Sequence, residues 1–286
     1  MEKKITKKLL EKKADLLALE TEKLITWCSN CGNYGIQNAL MRALVLEEMG
    51  LNDFAIFFDV GCSGNGSDKI EAYTFHGLHG RVISLAAGAA IANPRIKCIA
   101  FGGDGATFSE GVNHLVHGLR NNYPMLFVMH NNENFGLTTG QASALTRCGV
   151  KMNSAPEGVE VPPLNPMDLV LSCKPSFVAK GYSGDVDQMT EIFQEALRHD
   201  GFAYVEVLQA CPTYNRETPD AWYSKRIHKI EEVEGYDRSD IWAARRIIQD
   251  LDEKIYTGIL YVDESRKSFM GNHKGVPVDE VDYVDV

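Results

Sequence analysis

GGDGATFSEG (Gly102–Gly111) and MLFVMHNNEN (Met125–Asn134) are the two stretches on which the fold turns. The apolar run KCIAFGG (97–103) leads into the first, the helical segment FSEGVNHLVHGLRNN (108–122) follows, and MLFVMHNN (125–132) is a second apolar run. Short continuous apolar runs predict buried strands. A strand–helix–strand unit crosses over right-handed, so its two strands point the same way. Their carboxyl ends then lie on one side of the sheet, where open α/β sheets bind ligands. Asp104 leaves the first strand and Asn132 the second. A carboxylate and an amide oxygen suit Mg²⁺, a hard ion that shares oxygen ligands with phosphate, better than they suit zinc. Gly102, Gly103 and Gly105 remove side chains where backbone amides approach a diphosphate. The helix expected to start near Ser109 turns its positive end to the same place. The main-chain carbonyl of Asn134 is expected to complete the protein ligands. A lone GDG would be an ordinary strand-to-helix turn; the acid, the helix and the doubled Asn together point to a diphosphate–Mg²⁺ site.

The same alternation runs outward from this unit. FAIFFDV (54–60) predicts a buried strand ending in the glycine-rich turn GCSGNGS, and RVISLAAGAAIAN (81–93) a small-residue helix. PSFVAKGY (175–182), DVDQMTEIFQEALRHD (185–200) and FAYVEVLQA (202–210) continue as strand, helix and strand. The expected fold class is α/β, a doubly wound, mostly parallel sheet covered on both faces. Residues 147–170, with Pro156, Pro162, Pro163 and Pro166, form a long loop of the kind that serves function or a partner. Beyond Cys211–Pro212 the chain turns polar. Residues 238–255 predict an amphipathic helix with Ile241, Ala244, Ile247, Ile248 and Leu251 on one face, followed by the acidic tail VPVDEVDYVDV. The organisation is thus an N-terminal polar helix or arm (1–23, carrying Leu9, Leu10, Leu16, Leu17 and Leu19), a central binding domain (24–215) and a C-terminal helical arm (216–286).

A formal net charge of −10 argues against nonspecific binding of nucleic acid, which needs clustered Lys and Arg. No apolar run reaches the ~20 residues of a membrane helix, and the N-terminus has no signal-peptide core. Seven cysteines, an odd number without an export signal, argue against a disulfide framework and place the chain in the cytoplasm. Cys28-x-x-Cys31 is a chelating loop that by itself fits a zinc knuckle, a redox pair or neither. Cys62 and Cys211 each follow a strand at the expected ligand edge, and four thiolates converging there would suit a [4Fe–4S] cluster. Cys98, Cys148 and Cys173 are expected to be structural.

GDG followed by about thirty residues and NN is the thiamine diphosphate motif. With CSNCGNYGI, DVGCSGNGSDKI, FHGLHGR and NNENFGLTTGQAS in order, residues 24–262 resemble the β subunit of 2-oxoacid:ferredoxin oxidoreductases. The resemblance implies the thiamine diphosphate-binding fold, with Mg²⁺ on Asp104, Asn132 and the Asn134 main chain. It implies a [4Fe–4S] cluster on Cys28, Cys31, Cys62 and Cys211, and coenzyme contacts from Gly61, Cys62, Ser63, His79, Gly103, Gly105, Gly136 and Leu137. Ala106 departs from the pattern, in which relatives often carry a second acid, but that position is not a metal ligand.

The activity implied is oxidative decarboxylation of a 2-oxo acid, of the pyruvate or 2-oxoglutarate class, to acyl-CoA and CO₂, with electrons leaving through the cluster to ferredoxin. The acid that activates the coenzyme is expected on a partner α chain, so the lone chain is expected to be inactive. The proline loop and the helical arm are the expected contact surfaces. Two other readings compete. A subunit of a non-oxidative thiamine diphosphate decarboxylase or synthase would keep Asp104 and Asn132 without needing the cysteines. A zinc-stabilised, non-catalytic assembly subunit would need only the thiols.

Overall fold

The computed structural model describes residues 12–249 and 254–272. The strands are β1 (Phe54–Phe58), β2 (Tyr73–His76), β3 (Lys97–Gly103), β4 (Met125–Asn131), β5 (Asn134–Phe135), β6 (Gln141–Ala142), β7 (Phe177–Tyr182), β8 (Phe202–Leu208), β9 (Ile227–Lys229) and β10 (Ile255–Val262). Eight of them form one sheet in the order β2-β1-β3-β4-β8-β7-β10-β9, and β5 and β6 make a separate two-stranded ladder. Neighbours from β2 through to β7 pair in parallel, while β10 runs antiparallel to β7. Every residue of β1, β4, β7 and β8 is buried, which is why these strands read as unbroken apolar runs rather than as alternating ones.

Helices cover both faces. The principal ones are α1 (Lys13–Ala18), α2 (Asn33–Leu46), α3 (Val82–Ala92), α4 (Val112–Asn121), α5 (Pro166–Ser172), α6 (Val186–Arg198), α7 (Asp220–Ser224) and α8 (Ile241–Ile247). On one face Ile36, Leu40 and Leu44 of α2 and Met189 and Phe193 of α6 pack with Ile56, Ile99, Val128 and Val205 of the sheet. On the other, Ile83 and Ala86 of α3, Leu115 of α4 and Val170 of α5 meet Ala100, Phe127 and Tyr204.

Three expectations need correction. The helix after the glycine turn does not start near Ser109. A π-helical turn, Gly105–Glu110, begins directly after Asp104, and Gly111 resets the backbone before α4. Such turns are rare and concentrate at functional sites. The predicted loop 147–170 ends early. Pro166 opens α5, and the Asn165 side chain caps it by accepting from Met167 N and Asp168 N.

The predicted helix 238–255 shrinks to α8, and Ile255–Val262 is a strand of the main sheet. Ala244 and Ile248 do face the core, which is the part of the periodicity that was sound. The strand was hidden because Gly258, at φ +124°, and a bulge between Ile259 and Tyr261 break its alternation. Leu251, Leu9, Leu10 and the acidic tail lie outside the described residues. The short edge strand β2 and the helix α2, which follows the Cys28–Cys31 loop, have no counterpart in the sequence expectations.

Phe193 is fully buried between α6 and the sheet. Phe193→Ala is expected to cost ~3–5 kcal/mol of unfolding free energy, read as a lower urea midpoint with an unchanged slope.

Candidate functional site

Gly103 of β3 is paired with His130 of β4 in the parallel ladder. The next residue of the first strand and the second-next of the other are therefore Asp104 and Asn132, side by side at the carboxyl edge. Between them and the turn after β1 lies a cavity of ≈ 150 Å³, lined by Gly61, Cys62, Ser63, His79, Gly103, Gly105, Asn132, Asn134, Gly136 and Leu137 among others. Every coenzyme contact inferred from the sequence is on this wall except Asp104, which is wholly buried beneath it.

Asp104 is a carboxylate with half its needs met. Its Oδ2 accepts from Ser143 Oγ. Its Oδ1 is buried without a hydrogen-bond partner. Burial pushes its carboxyl from 3.8 up to about 7, against the opposing pull of the Ser143 bond. On the neighbouring strand tip, Asn132 Oδ1 accepts from Asn134 N at 3.1 Å. The Asn132 carbonyl accepts from Asn134 Nδ2 at 2.8 Å and from Asn215 Nδ2 at 3.1 Å. Asn134 Oδ1 is likewise buried without a partner, while the Asn134 backbone pairs with Ala142 in the β5–β6 ladder. An unpaired buried carboxylate oxygen is costly unless a cation or a donor satisfies it. This donor set fits a hard divalent ion.

The glycines divide the work. A Cβ at Gly103 would meet no atom within 4 Å, so this position leaves open floor in the cavity. A Cβ at Gly105 would lie 2.4 Å from the Phe135 ring, so here glycine serves close packing of the flap over the turn. A Cβ at Gly136 would meet Asn134 Oδ1 and Cys62 Sγ, each at 3.2 Å, which places the flap against that thiol.

His79 is held by Asp59, a residue given no role from the sequence. Its Nδ1 lies 3.0 Å from the Val60 carbonyl and 3.4 Å from Asp59 Oδ1. Asp59 is 1% exposed and accepts from Gly80 N and Val60 N at 2.9 and 2.8 Å. The signal was available: Asp59 closes an apolar strand before a glycine turn, as Asp104 does. Ser143, His130 and Gln209 were also missed. Ser143 closes the quoted stretch NNENFGLTTGQAS but was given no role there, and His130 and Gln209 are near the site through tertiary contact.

Cys28, Cys31, Cys62 and Cys211 are all free thiols at this end of the molecule. Burial pushes the Cys62 thiol up to about 12, with Cys31, Cys211, Cys28 and Asp104 adding to the rise in that order. Cys62 therefore lies within electrostatic reach of the other three thiols and of the buried acid. Among the described residues no three His, Cys, Asp or Glu side chains come together closely enough to hold one metal ion. Cys98 is buried in β3, Cys173 packs partly buried against the core, and Cys148 is exposed with its Sγ 3.7 Å from the Glu160 carbonyl. No helix among the described residues is long and apolar enough to cross a membrane.

Comparison with known proteins meets this geometry. Residues 59–207 match the family model described as thiamine pyrophosphate enzyme, C-terminal TPP binding domain, and residues 211–277 match the model for the C terminal part of the pyruvate ferredoxin oxidoreductase beta subunit. Subunit beta of 2-oxoacid:ferredoxin oxidoreductase 2 from Aeropyrum pernix is 34% identical over 266 residues, covering 88% of this chain and 85% of that one. The corresponding protein from Saccharolobus solfataricus is 39% identical over 215 residues, covering 74% and 70%. A solved structure of 2-oxoglutarate:ferredoxin oxidoreductase from Magnetococcus marinus, with 2-oxoglutarate, coenzyme A and succinyl-CoA bound, aligns with TM-score 0.87 at 32% identity over 90% of this chain and 88% of that one.

Asp104 has a folded pKa above its unfolded value, so the folded state keeps a proton that the unfolded state has lost. Its contribution is fully present below pH 3.8 and is lost as pH rises through about 7. In thermal unfolding with a chelator present, the wild-type midpoint should fall across that window. Asp104→Asn should fall less, and equal slopes would refute the assignment.

Proposed function

Since this chain belongs to the family of 2-oxoacid:ferredoxin oxidoreductase β subunits, we propose that it carries the coenzyme and the first electron acceptor for oxidative decarboxylation of a 2-oxo acid to acyl-CoA and CO₂. Asp104, Asn132 and the main-chain carbonyl of Asn134 would hold Mg²⁺ and, through it, the diphosphate of thiamine diphosphate. Cys28, Cys31, Cys62 and Cys211 would hold a [4Fe–4S] cluster. When bound, thiamine diphosphate supplies the electron sink that makes loss of CO₂ feasible, and the cluster supplies one-electron transfer towards ferredoxin.

The observation that carries this reading is the pairing of Gly103 with His130, which puts an unpartnered carboxylate oxygen at the same sheet edge as Asn132. The chain's own groups do the positioning. Ser143 orients Asp104, and Asn134 and Asn215 hold Asn132. Asp59 and the Val60 carbonyl fix His79 through Nδ1. Phe135, Gly136 and Leu137 form a flap along one wall of the cavity.

The acid that activates the coenzyme would come from a partner α subunit, and ferredoxin would take the electrons. The exposed Val161 and Leu164 of the proline loop and Trp242 of α8 support those segments as partner surfaces. The Magnetococcus neighbour's bound 2-oxoglutarate and coenzyme A make that acid the first substrate to try. The free thiols support a cytoplasmic location for the assembly.

The test is anaerobic co-purification with the partner subunit, followed by a panel of 2-oxo acids with coenzyme A and viologen reduction. The complex should be brown, carry about four irons per cluster and turn over at least one acid, while this chain alone turns over none. Asp104→Asn should weaken Mg²⁺–thiamine diphosphate binding ~100-fold or more, since even residues behind a metal ligand cost 10–100-fold, and should leave iron content intact. Cys62→Ser should do the reverse. Robust turnover by the lone chain, or a colourless complex, would refute the proposal.

A further inference from the structure

Gln209 follows β8 and is 1% exposed. Its backbone N donates to the Asn131 carbonyl at 2.8 Å, which ties it to the tip of β4. Its side-chain Nε2 donates to Asn33 Oδ1 at 3.0 Å and to Cys31 Sγ at 3.4 Å. Asn33 Oδ1 is also 2.8 Å from His130 Nδ1. With Asn33 oxygen as acceptor for both neighbours, the nitrogen end of the Gln209 amide is the end that faces the thiol. Asn33 and His130 are 1% and 5% exposed, so this amide end of the chain of contacts is out of water, while Cys31 is half-buried. Gln209 and His130 also line the coenzyme cavity, which puts the amide between that cavity and Cys31.

We propose that Gln209 tunes electron transfer: its amide hydrogen-bonds the sulfur of Cys31 and makes the iron–sulfur centre held there easier to reduce. This rests on the assignment of Cys28, Cys31, Cys62 and Cys211 as cluster ligands. Adding one electron puts more negative charge on the ligand sulfurs. A donor fixed at one of them stabilises the reduced form more than the oxidised one, and hydrogen bonds to sulfur are among the factors that set such potentials. The low dielectric around the buried amide strengthens the effect. The Asn33 backbone amide is the other donor to Cys31, and it belongs to the loop itself. Gln209 brings a donor from a different strand, and Asn33 keeps it from rotating away. One electron enters per reduction, from the 2-oxo acid in turnover and from dithionite in the test. No bond to Gln209 forms or breaks.

The test uses the complex with its partner subunit, purified anaerobically. The signal of this centre is identified as the one missing in Cys62→Ser, and its midpoint is followed by EPR during dithionite titration. Gln209→Leu and Gln209→Met should keep full iron and shift the equilibrium against reduction about tenfold, which is ~59 mV more negative for one electron. Gln209→His, which keeps an N–H donor, should return most of the shift. Full iron with an unmoved or more positive midpoint in the Leu and Met variants would overturn the proposal. So would iron loss in both, which would make Gln209 a structural prop. Wild-type complex without iron would instead sink the cluster assignment beneath it.

Discussion

The arrangement depends on a carboxylate that the fold buries and does not satisfy. Asp104 sits at the end of β3 with one oxygen bonded to Ser143 and the other without a partner. Nothing in the packing of the core requires an acid there, and an amide or an alcohol would avoid the charge. Burial, with a further push from the Glu133 carboxylate and against the pull of its hydrogen bonds, lifts its carboxyl to about 7. A cation placed beside it would favour the charged form, and Asn132 stands at the neighbouring strand tip.

The rest of the sheet keeps that arrangement in register. Parallel strands with every residue buried cannot slide without exposing one face and misplacing the other. The apolar contacts of α2 and α6 on one side and α3, α4 and α5 on the other are therefore what hold the carboxyl edge still. The same edge receives the turn after β1 with Cys62 and, beyond β8, the segment with Gln209 and Cys211. Thiols from three distant parts of the sequence thus act on one another electrostatically there, and of these Cys62 also feels the charge of Asp104.

Legibility in the sequence followed the kind of interaction. The central strands and helices were readable because a strand buried on both faces leaves an uninterrupted apolar run and a covering helix leaves a 3.6-residue stripe. β3 came out with the bounds expected for it, and Asp104 and Asn132 fell where the crossover unit puts them. β10 was not readable, since a glycine in the left-handed region and a bulge erase its alternation. The start of the helix after Asp104 was misplaced because a π-helical turn has no propensity signature of its own. Ser143, Asn33 and Asp59 all lie within the quoted stretches yet went without a role, because what each does depends on a tertiary partner, Asp104, Gln209 or His79, that the sequence does not name. Asp59 was nonetheless visible by the logic that found Asp104.

The tip of β4 shows why the site needs charged residues that never face the cavity. His130, Asn132 and Asn134 line the coenzyme cavity, whereas Asn131 and Glu133 line a second, separate cavity. There Asn131 Nδ2 donates to Glu206 Oε1 at 2.7 Å, and Lys180 Nζ lies 3.3 Å from the other Glu206 oxygen. Glu133 pairs with Arg147 at 2.9 Å, and Arg147 in turn covers the Trp222 ring at 5.0 Å. Buried ion pairs are poor sources of net stability, but removing one partner from such a pair costs ~3–5 kcal/mol. A slip of one residue along β4 would carry Asn131 and Glu133 into the coenzyme cavity, taking the Asn131 amide from Glu206, which keeps Lys180, and the Glu133 carboxylate from Arg147. The charges behind the strand therefore act as a register lock. They penalise the slipped state far more than they stabilise the native one, and the beneficiary is Asn132, kept within reach of Asp104.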